Sequence, residues 1–149
     1  MRAVIQRVIE ASVTINDQTV GAIGPGLAVL VGFSDADGDE EIAWMACKIA
    51  GLRIFGDEQG KMNLSVNEIQ GQVLVVPNFT LYGDVTKGRR PSFTEAASPA
   101  QAQDAFARFI QRLKTDGLDV QTGQFGEYMQ VALVNDGPVA LIMDTEHLL

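Results

Sequence analysis

Two short segments hold most of the chemistry on offer: Pro77-Asn78-Phe79-Thr80-Leu81-Tyr82-Gly83-Asp84 and Asn135-Asp136-Gly137-Pro138-Val139-Ala140. The first ends a strongly apolar stretch, and the second leads into another near the C-terminus. Each puts polar backbone where a strand meets a loop, the usual place for binding and catalytic groups. Thr80 is the obvious hydroxyl. As a nucleophile it needs a base to take its proton, and none accompanies it. A strand threonine whose hydroxyl satisfies backbone is the competing reading. A second route needs no nucleophile, because backbone N–H groups at a strand end can stabilise the oxyanion of an ester attacked by water. Gly137-Pro138 is either an ordinary turn between strands or a cis peptide that brings backbone close to a ligand.

Other chemistries lack their parts. His147, the only histidine, lies close to the C-terminus, away from the neighbours that hold a catalytic imidazole in Ser-His-Asp and Cys-His hydrolases. Cys47 falls among apolar residues of a helical pattern and reads as a small core residue. No histidine and cysteine grouping has zinc spacing, and Asp35, Asp37 and Asp39 lack the downstream Gly and Glu of a calcium loop. The run from Gly21 to Gly26 lacks the glycine order and the Lys-Ser/Thr pair of a phosphate loop, so it reads as a turn. No metal and no cofactor is expected.

Positioning these residues requires a folded domain, and the composition allows one. The 149 residues are 46% hydrophobic, which fits a single domain over 1–149 with a real core. No apolar run approaches the ~20 residues that span a bilayer, so no membrane partner is expected. Gln6, Arg7 and Glu10 interrupt any signal-peptide core. One cysteine excludes an internal disulfide and suits a cytoplasmic location. The net charge of -8 argues against broad coating of DNA or RNA. Lys87, Arg89 and Arg90 nevertheless cluster within four residues, either as a solvated loop or as an RNA contact.

Alternation predicts strands at 2–9, 11–16 and 19–23, with a turn at Asn16-Asp17-Gln18. The continuous apolar run 27–33 reads as a central strand covered on both faces. Ile42, Met45, Ala46, Ile49 and Leu52 predict a helix over about 39–51, with Asp39, Glu40 and Glu41 favourable to its dipole. Strands are expected at 52–56 and 72–81. Ser98, Pro99 and Gln101 make the start of a second helix and Gly117 its end. Strands then follow near 118–122, 128–135 and 138–144. Many strands with two separated helices argue for an α+β fold, a curved and largely antiparallel sheet with the helices packed outside.

Seven segments in order resemble the D-aminoacyl-tRNA deacylases: Met1 to Val8, Arg53-Ile-Phe55, Lys61-Met-Asn-Leu64, the segment at Pro77, Arg90-Pro-Ser-Phe93, Gln121-Thr-Gly123 and the segment at Asn135. The family's two signature segments usually read Ser-Gln-Phe-Thr-Leu and Asn-x-Gly-Pro-Val-Thr. The resemblance implies a barrel-like sheet, a homodimer and hydrolysis of D-aminoacyl-tRNA held by its acceptor end, with mischarged glycyl-tRNA as a further substrate. It places Asn78, Phe79 and Thr80 at the catalytic position and Pro77, Phe93, Gly137 and Pro138 around the substrate. It implies RNA-assisted hydrolysis without a triad. It also implies a cis Gly137-Pro138 that reaches into the partner's site, where its carbonyls bind the amino group and exclude an L side chain. Arg7 would hold that segment by its backbone. Phe79 and Phe93 are aromatic walls on this reading and core residues on the plain one. Three departures bear on specificity: Pro77 replaces Ser, Asn78 replaces Gln and Ala140 replaces Thr. The alternatives are a deacylase relaxed towards small L-aminoacyl-tRNA and a weakened tRNA-end-binding protein.

Overall fold

The computed structural model describes residues 1–147 of the chain; the side chain of His147, and the expectation stated for it, lies outside what is described. The two alternating stretches expected at 2–9 and 11–16 are one strand, β1 (Arg2–Ile15). A bulge joins them: Val8 pairs with Asn135 and Glu10 with Val134, leaving Ile9 extra. The extra residue reverses the alternation. Ala3 and Ile5 pack on the helix side of the sheet, whereas Val8, Ala11 and Val13 share its opposite face.

β2 (Gln18–Ile23) and β3 (Gly26–Gly32) run antiparallel along one edge of β1, β2 against residues 11–15 and β3 against residues 2–8. After β3 the chain forms α1 (Asp39–Gly51) and a small ribbon of β4 (Phe55–Gly56) and β5 (Met62–Leu64). It then enters β6 (Gln72–Pro77), parallel to β3. α2 (Pro99–Thr115) leads to β7 (Asp119–Thr122), parallel to β6. β8 (Gln130–Asp144) returns antiparallel along the other edge of β1.

The sheet is therefore mixed, where a largely antiparallel one was expected. The two connections that carry α1 and α2 are long enough to bring the chain back to the same end, as parallel pairing requires. The sheet curls until β2 nears β7: a Cβ added at Gly21 would sit 2.9 Å from the Thr122 carbonyl oxygen. The result is a nearly closed barrel with two helices on its outside.

Central strands bury both faces. In β6, Val73 and Val75 face the helices and Leu74 and Val76 face the barrel interior; in β3, Leu27, Val29 and Val31 alternate in the same way with Ala28. That explains the uninterrupted apolar runs. On the helix side, Phe33 meets the edge of Phe109 at 6.3 Å between ring centres.

Both helices start and stop where their end signals say. The Gly38 N–H donates to Glu41 at 2.8 Å, and that backbone bond holds the Glu41 carboxyl below its ordinary pKa. Ser98 accepts the Gln101 N–H at the start of α2. At its end Gly117 takes φ +90°, and N–H groups of Gly117 and Leu118 return to Lys114 and Leu113, closing a Schellman turn.

Four local expectations change. Cys47 is exposed, because the stripe of Ile42, Met45, Ala46 and Ile49 takes the buried side of α1 and leaves position 47 outside it. The strand expected at 52–56 shortens to Phe55–Gly56, paired with an unexpected partner at Met62–Leu64. The strand expected to reach 81 stops at Pro77, and a 3-10 turn covers Phe79–Tyr82. The strands near 128–135 and 138–144 belong to one long strand with an excursion inside it. No helix among the described residues is long and apolar enough to cross a membrane.

Candidate active site

Pro77 is the last residue of β6 and lies in register with Val31. The Asn78 N–H still donates to the Val31 carbonyl at 2.7 Å. The Asn78 side-chain oxygen then turns the chain: it accepts the Thr80 N–H at 3.2 Å and the Thr80 hydroxyl. The first N–H groups of a helical turn have no acceptor within it. Asn78 takes that of Thr80, leaving the Phe79 N–H as the one the turn does not use. Arg2 fixes the turn from outside. It donates to the Leu81 carbonyl at 3.1 Å, lies 4.4 Å over the Tyr82 ring, and is held by Asp144 at 2.9 Å.

Residues 77–80 line a cavity of about 720 Å³ together with Leu30, Val76 and the loop 125–129. Phe79 is 57% exposed, so it is no core residue. Phe93 backs it edge-on at 5.1 Å between ring centres and does not itself line the cavity. Tyr128 lines the cavity and is 85% exposed. Glu127 is the carboxylate among the lining residues. Among the described residues, no group of three or more His, Cys, Asp and Glu side chains is placed to hold a metal.

The second segment is an excursion within β8. Gln6 pairs with Ala140 and Val8 with Asn135. Asp136, Gly137, Pro138 and Val139 thus stand opposite the single residue Arg7. The Gly137-Pro138 bond is cis, and Gly137 takes φ +142°. Arg7 donates to the Asp136 carbonyl at 2.9 Å and to the Ile54 carbonyl. Asn135 closes the base: its oxygen accepts the Val139 N–H at 2.8 Å, and its nitrogen donates to the Val139 carbonyl at 3.0 Å and to Gln6 at 3.1 Å. Asp136, Gly137 and Pro138 are exposed while Val139 is buried. None of the four lines the cavity at 77–80 of its own chain; β1 and β3 stand between β8 and β6.

A family model described as D-Tyr-tRNA(Tyr) deacylase matches residues 4–144. The chain belongs to the D-aminoacyl-tRNA deacylase family. It is an enzyme, a hydrolase. It is 54% identical over 144 residues to a D-aminoacyl-tRNA deacylase of an Exiguobacterium species, covering 97% of this chain and 98% of the relative. It is 55% identical over 148 residues to the D-aminoacyl-tRNA deacylase of Thermotoga petrophila, covering 99% of each. Among solved structures, one titled c-Myc DNA Unwinding Element Binding Protein superposes with a TM-score of 0.91 at 41% identity, covering 97% of this chain and 99% of the other. A probable eukaryotic D-amino acid tRNA deacylase shares the fold, with a TM-score of 0.81 at 21% identity over 95% and 97% of the two chains.

Within this D-aminoacyl-tRNA deacylase fold, four residues gain positions that the sequence did not assign. Arg2 and Asn135 hold the two signature segments; Glu127 and Tyr128 line the cavity. Tyr128 carried a signal, an aromatic residue in a loop punctuated by Gly123 and Gly126. Asn135 carried one too, since an Asn before Asp-Gly-Pro is suited to bonding backbone nearby. Asn135→Ala removes three hydrogen bonds and leaves the half-buried Val139 N–H and carbonyl without their partner. It is expected to cost about 1–3 kcal/mol in urea unfolding and to speed hydrogen exchange at the Val139 amide. Unchanged exchange there would show that the excursion holds without its clamp.

Proposed function

We propose that the protein hydrolyses the ester bond of D-aminoacyl-tRNA, releasing free D-amino acid and tRNA. The observation that carries this reading, beside family membership, is the turn at Phe79–Tyr82. It sets an unclaimed backbone N–H beside a cavity lined, among the described residues, by no paired nucleophile and base. An aminoacyl ester is already activated, so placing water and substrate and stabilising the oxyanion suffices. On this reading the ribose hydroxyl next to the ester aligns or activates the water. A glycyl ester, with no side chain to exclude, is accepted as well.

The chiral filter belongs to the same proposal. In a cytoplasmic homodimer the exposed 136–138 tip of one subunit would enter the cavity of its partner. Its carbonyls would bind the substrate ammonium and leave no space for an L side chain. The tip's exposure, and its hold by Arg7 and Asn135, support a rigid backbone in that role. Steric exclusion of this kind discriminates because escaping the clash means distorting the backbone. The test is a deacylation time course with matched D- and L-aminoacyl-tRNA. Fast release from the D form and protection of the L form are expected. Equal rates would favour the relaxed deacylase, and binding without hydrolysis of either the tRNA-end-binding reading.

One observation favours attention to the relaxed reading. The Asn78 side-chain oxygen is engaged within its own turn, so it is not free to orient a substrate, and Pro77 brings no N–H to the cavity.

Thr80→Ala is expected to leave the rate within about tenfold. The Thr80 hydroxyl donates to the Asn78 amide oxygen, which is no base, and not to a group that could take its proton in attack. Single-turnover deacylation measures this; a fall near the ~10⁴-fold seen on disabling a catalytic triad would make Thr80 the nucleophile.

A further inference from the structure

The connection between the 3-10 turn and α2 contains a closed loop that the hydrolytic chemistry does not use. Asp84 and Ser92 exchange backbone hydrogen bonds at 2.7 and 2.9 Å, so residues 85–91 leave and return through one narrow base. Every residue from Val85 to Pro91 is exposed, and Gly88 at φ +71° turns the tip. The loop carries Lys87, Arg89 and Arg90.

These cations differ from the other arginines of the chain. Arg2, Arg7, Arg53, Arg108 and Arg112 each donate to a protein acceptor. Among the described residues, Lys87, Arg89 and Arg90 have no ion pair. The carboxylate nearest to Lys87 in sequence, Asp84, is engaged by backbone: it accepts the Thr86 N–H at 2.9 Å, which holds its carboxyl below the usual range. Three unpaired cations on one exposed loop are notable in a chain of net charge -8.

The base of the loop abuts the cavity wall. Gly83, which enters it, is so close to both sides that an added Cβ would lie 3.0 Å from the Phe93 ring and 3.0 Å from the Thr80 carbonyl. Phe93, just past its end, packs on Phe79. The loop is thus anchored at the residues that line the site. It extends at most about 3.3–3.6 Å per residue beyond them.

We infer that Lys87, Arg89 and Arg90 form a phosphate-contact site for the RNA strand whose end carries the ester. The inference rests on the deacylase reading of the neighbouring cavity. An acidic protein repels a polyanion over most of its surface, so productive docking needs cations concentrated beside the site. Phosphate contacts position a nucleic acid without reading its sequence. The loop therefore contributes to capture of the long substrate and not to the chemical step.

The test compares full-length D-aminoacyl-tRNA with D-aminoacyl-adenosine, which has the ester and the ribose but no phosphate. Lys87→Ala/Arg89→Ala/Arg90→Ala is expected to raise KM for the tRNA about 10–100-fold at moderate salt. It should flatten the slope of log kcat/KM against log salt by about 2–3, near one per lost contact. Its kcat on tRNA and its turnover of the adenosine ester should stay at the wild-type level. A control, Lys61→Ala/Lys114→Ala, removes exposed lysines elsewhere and should leave the slope within about one of the wild type. An unchanged KM and salt slope in the triple variant would overturn the inference. So would an equal effect in the control, which would make the contribution one of net charge alone. Failure of the wild type to hydrolyse either substrate would instead overturn the deacylase reading itself.

Discussion

A substrate with hydrogen in place of the terminal ribose hydroxyl next to the ester should be hydrolysed about 10²–10⁴-fold more slowly, the range that positioned proton transfer contributes. Among the described residues no histidine lines the cavity at 77–80, and the Thr80 hydroxyl is bonded to Asn78. A substrate group is then left to align or activate water. Among the described residues Glu127 is the one carboxylate lining the same cavity, so it is the rival base. Glu127→Gln should change the rate little if the ribose does this work. Unchanged turnover of the deoxy substrate, with a large loss in Glu127→Gln, would reverse the assignment.

Gly26→Ala should destabilise the protein by about 3 kcal/mol or more, at the upper end of what overpacking costs. A Cβ at this position would fall 1.8 Å from the Gln72 carbonyl oxygen and 2.8 Å from the Gln72 carbonyl carbon and nitrogen. All three are backbone atoms of the paired strand, so no rotamer change relieves the clash. β3 and β6 must part where their register begins. Because β6 ends in Pro77 and leads into the turn at Phe79–Tyr82 that lines the cavity, activity should fall with the folded fraction. Gly24→Ala is the contrast: an added Cβ there meets nothing within 4 Å, and a surface change of that kind stays within about 0.5 kcal/mol. Urea unfolding of the two variants measures both, and similar midpoints would show that the strands can separate at little cost.

Much of the fold was legible because its signals are local. The stripe of Ile42, Met45, Ala46 and Ile49 and the Ser98-Pro99 start with Gly117 stop are fixed by side-chain spacing and end chemistry, and both helices lie where they indicate. The apolar runs of β3 and β6 announced strands buried on both faces. Parallel pairing was not legible, since nothing in Leu27 to Phe33 or Val73 to Val76 states which neighbour each strand takes. The bulge at Ile9 was also hidden: it shows as a change of face only once the cores on the two sides of the sheet are known. In the site, Thr80 and Gly137-Pro138 drew attention by residue type. The hold that Arg2 exerts on Leu81 and Tyr82 spans 79 residues of sequence or more, and no local pattern reports a contact of that separation. Asn78 drew attention for chemistry towards a substrate; that its side-chain oxygen also reaches back to its own turn had no signal in the sequence.

The excursion opposite Arg7 stands outside the strand pairing of the frame that carries it. Residues 130–135 and 140–144 of β8 pair separately with β1, the first stretch with the bulge at Ile9 inside it. The four residues between them add nothing to the ladder and take nothing from it. Insertions, deletions or wholesale exchange of this tip can therefore be tolerated without shifting a strand, provided Asn135 and Val139 still close the neck. Such a junction is a natural graft point, where lineages or protein engineers can try new sequences while barrel and helices stay as they are.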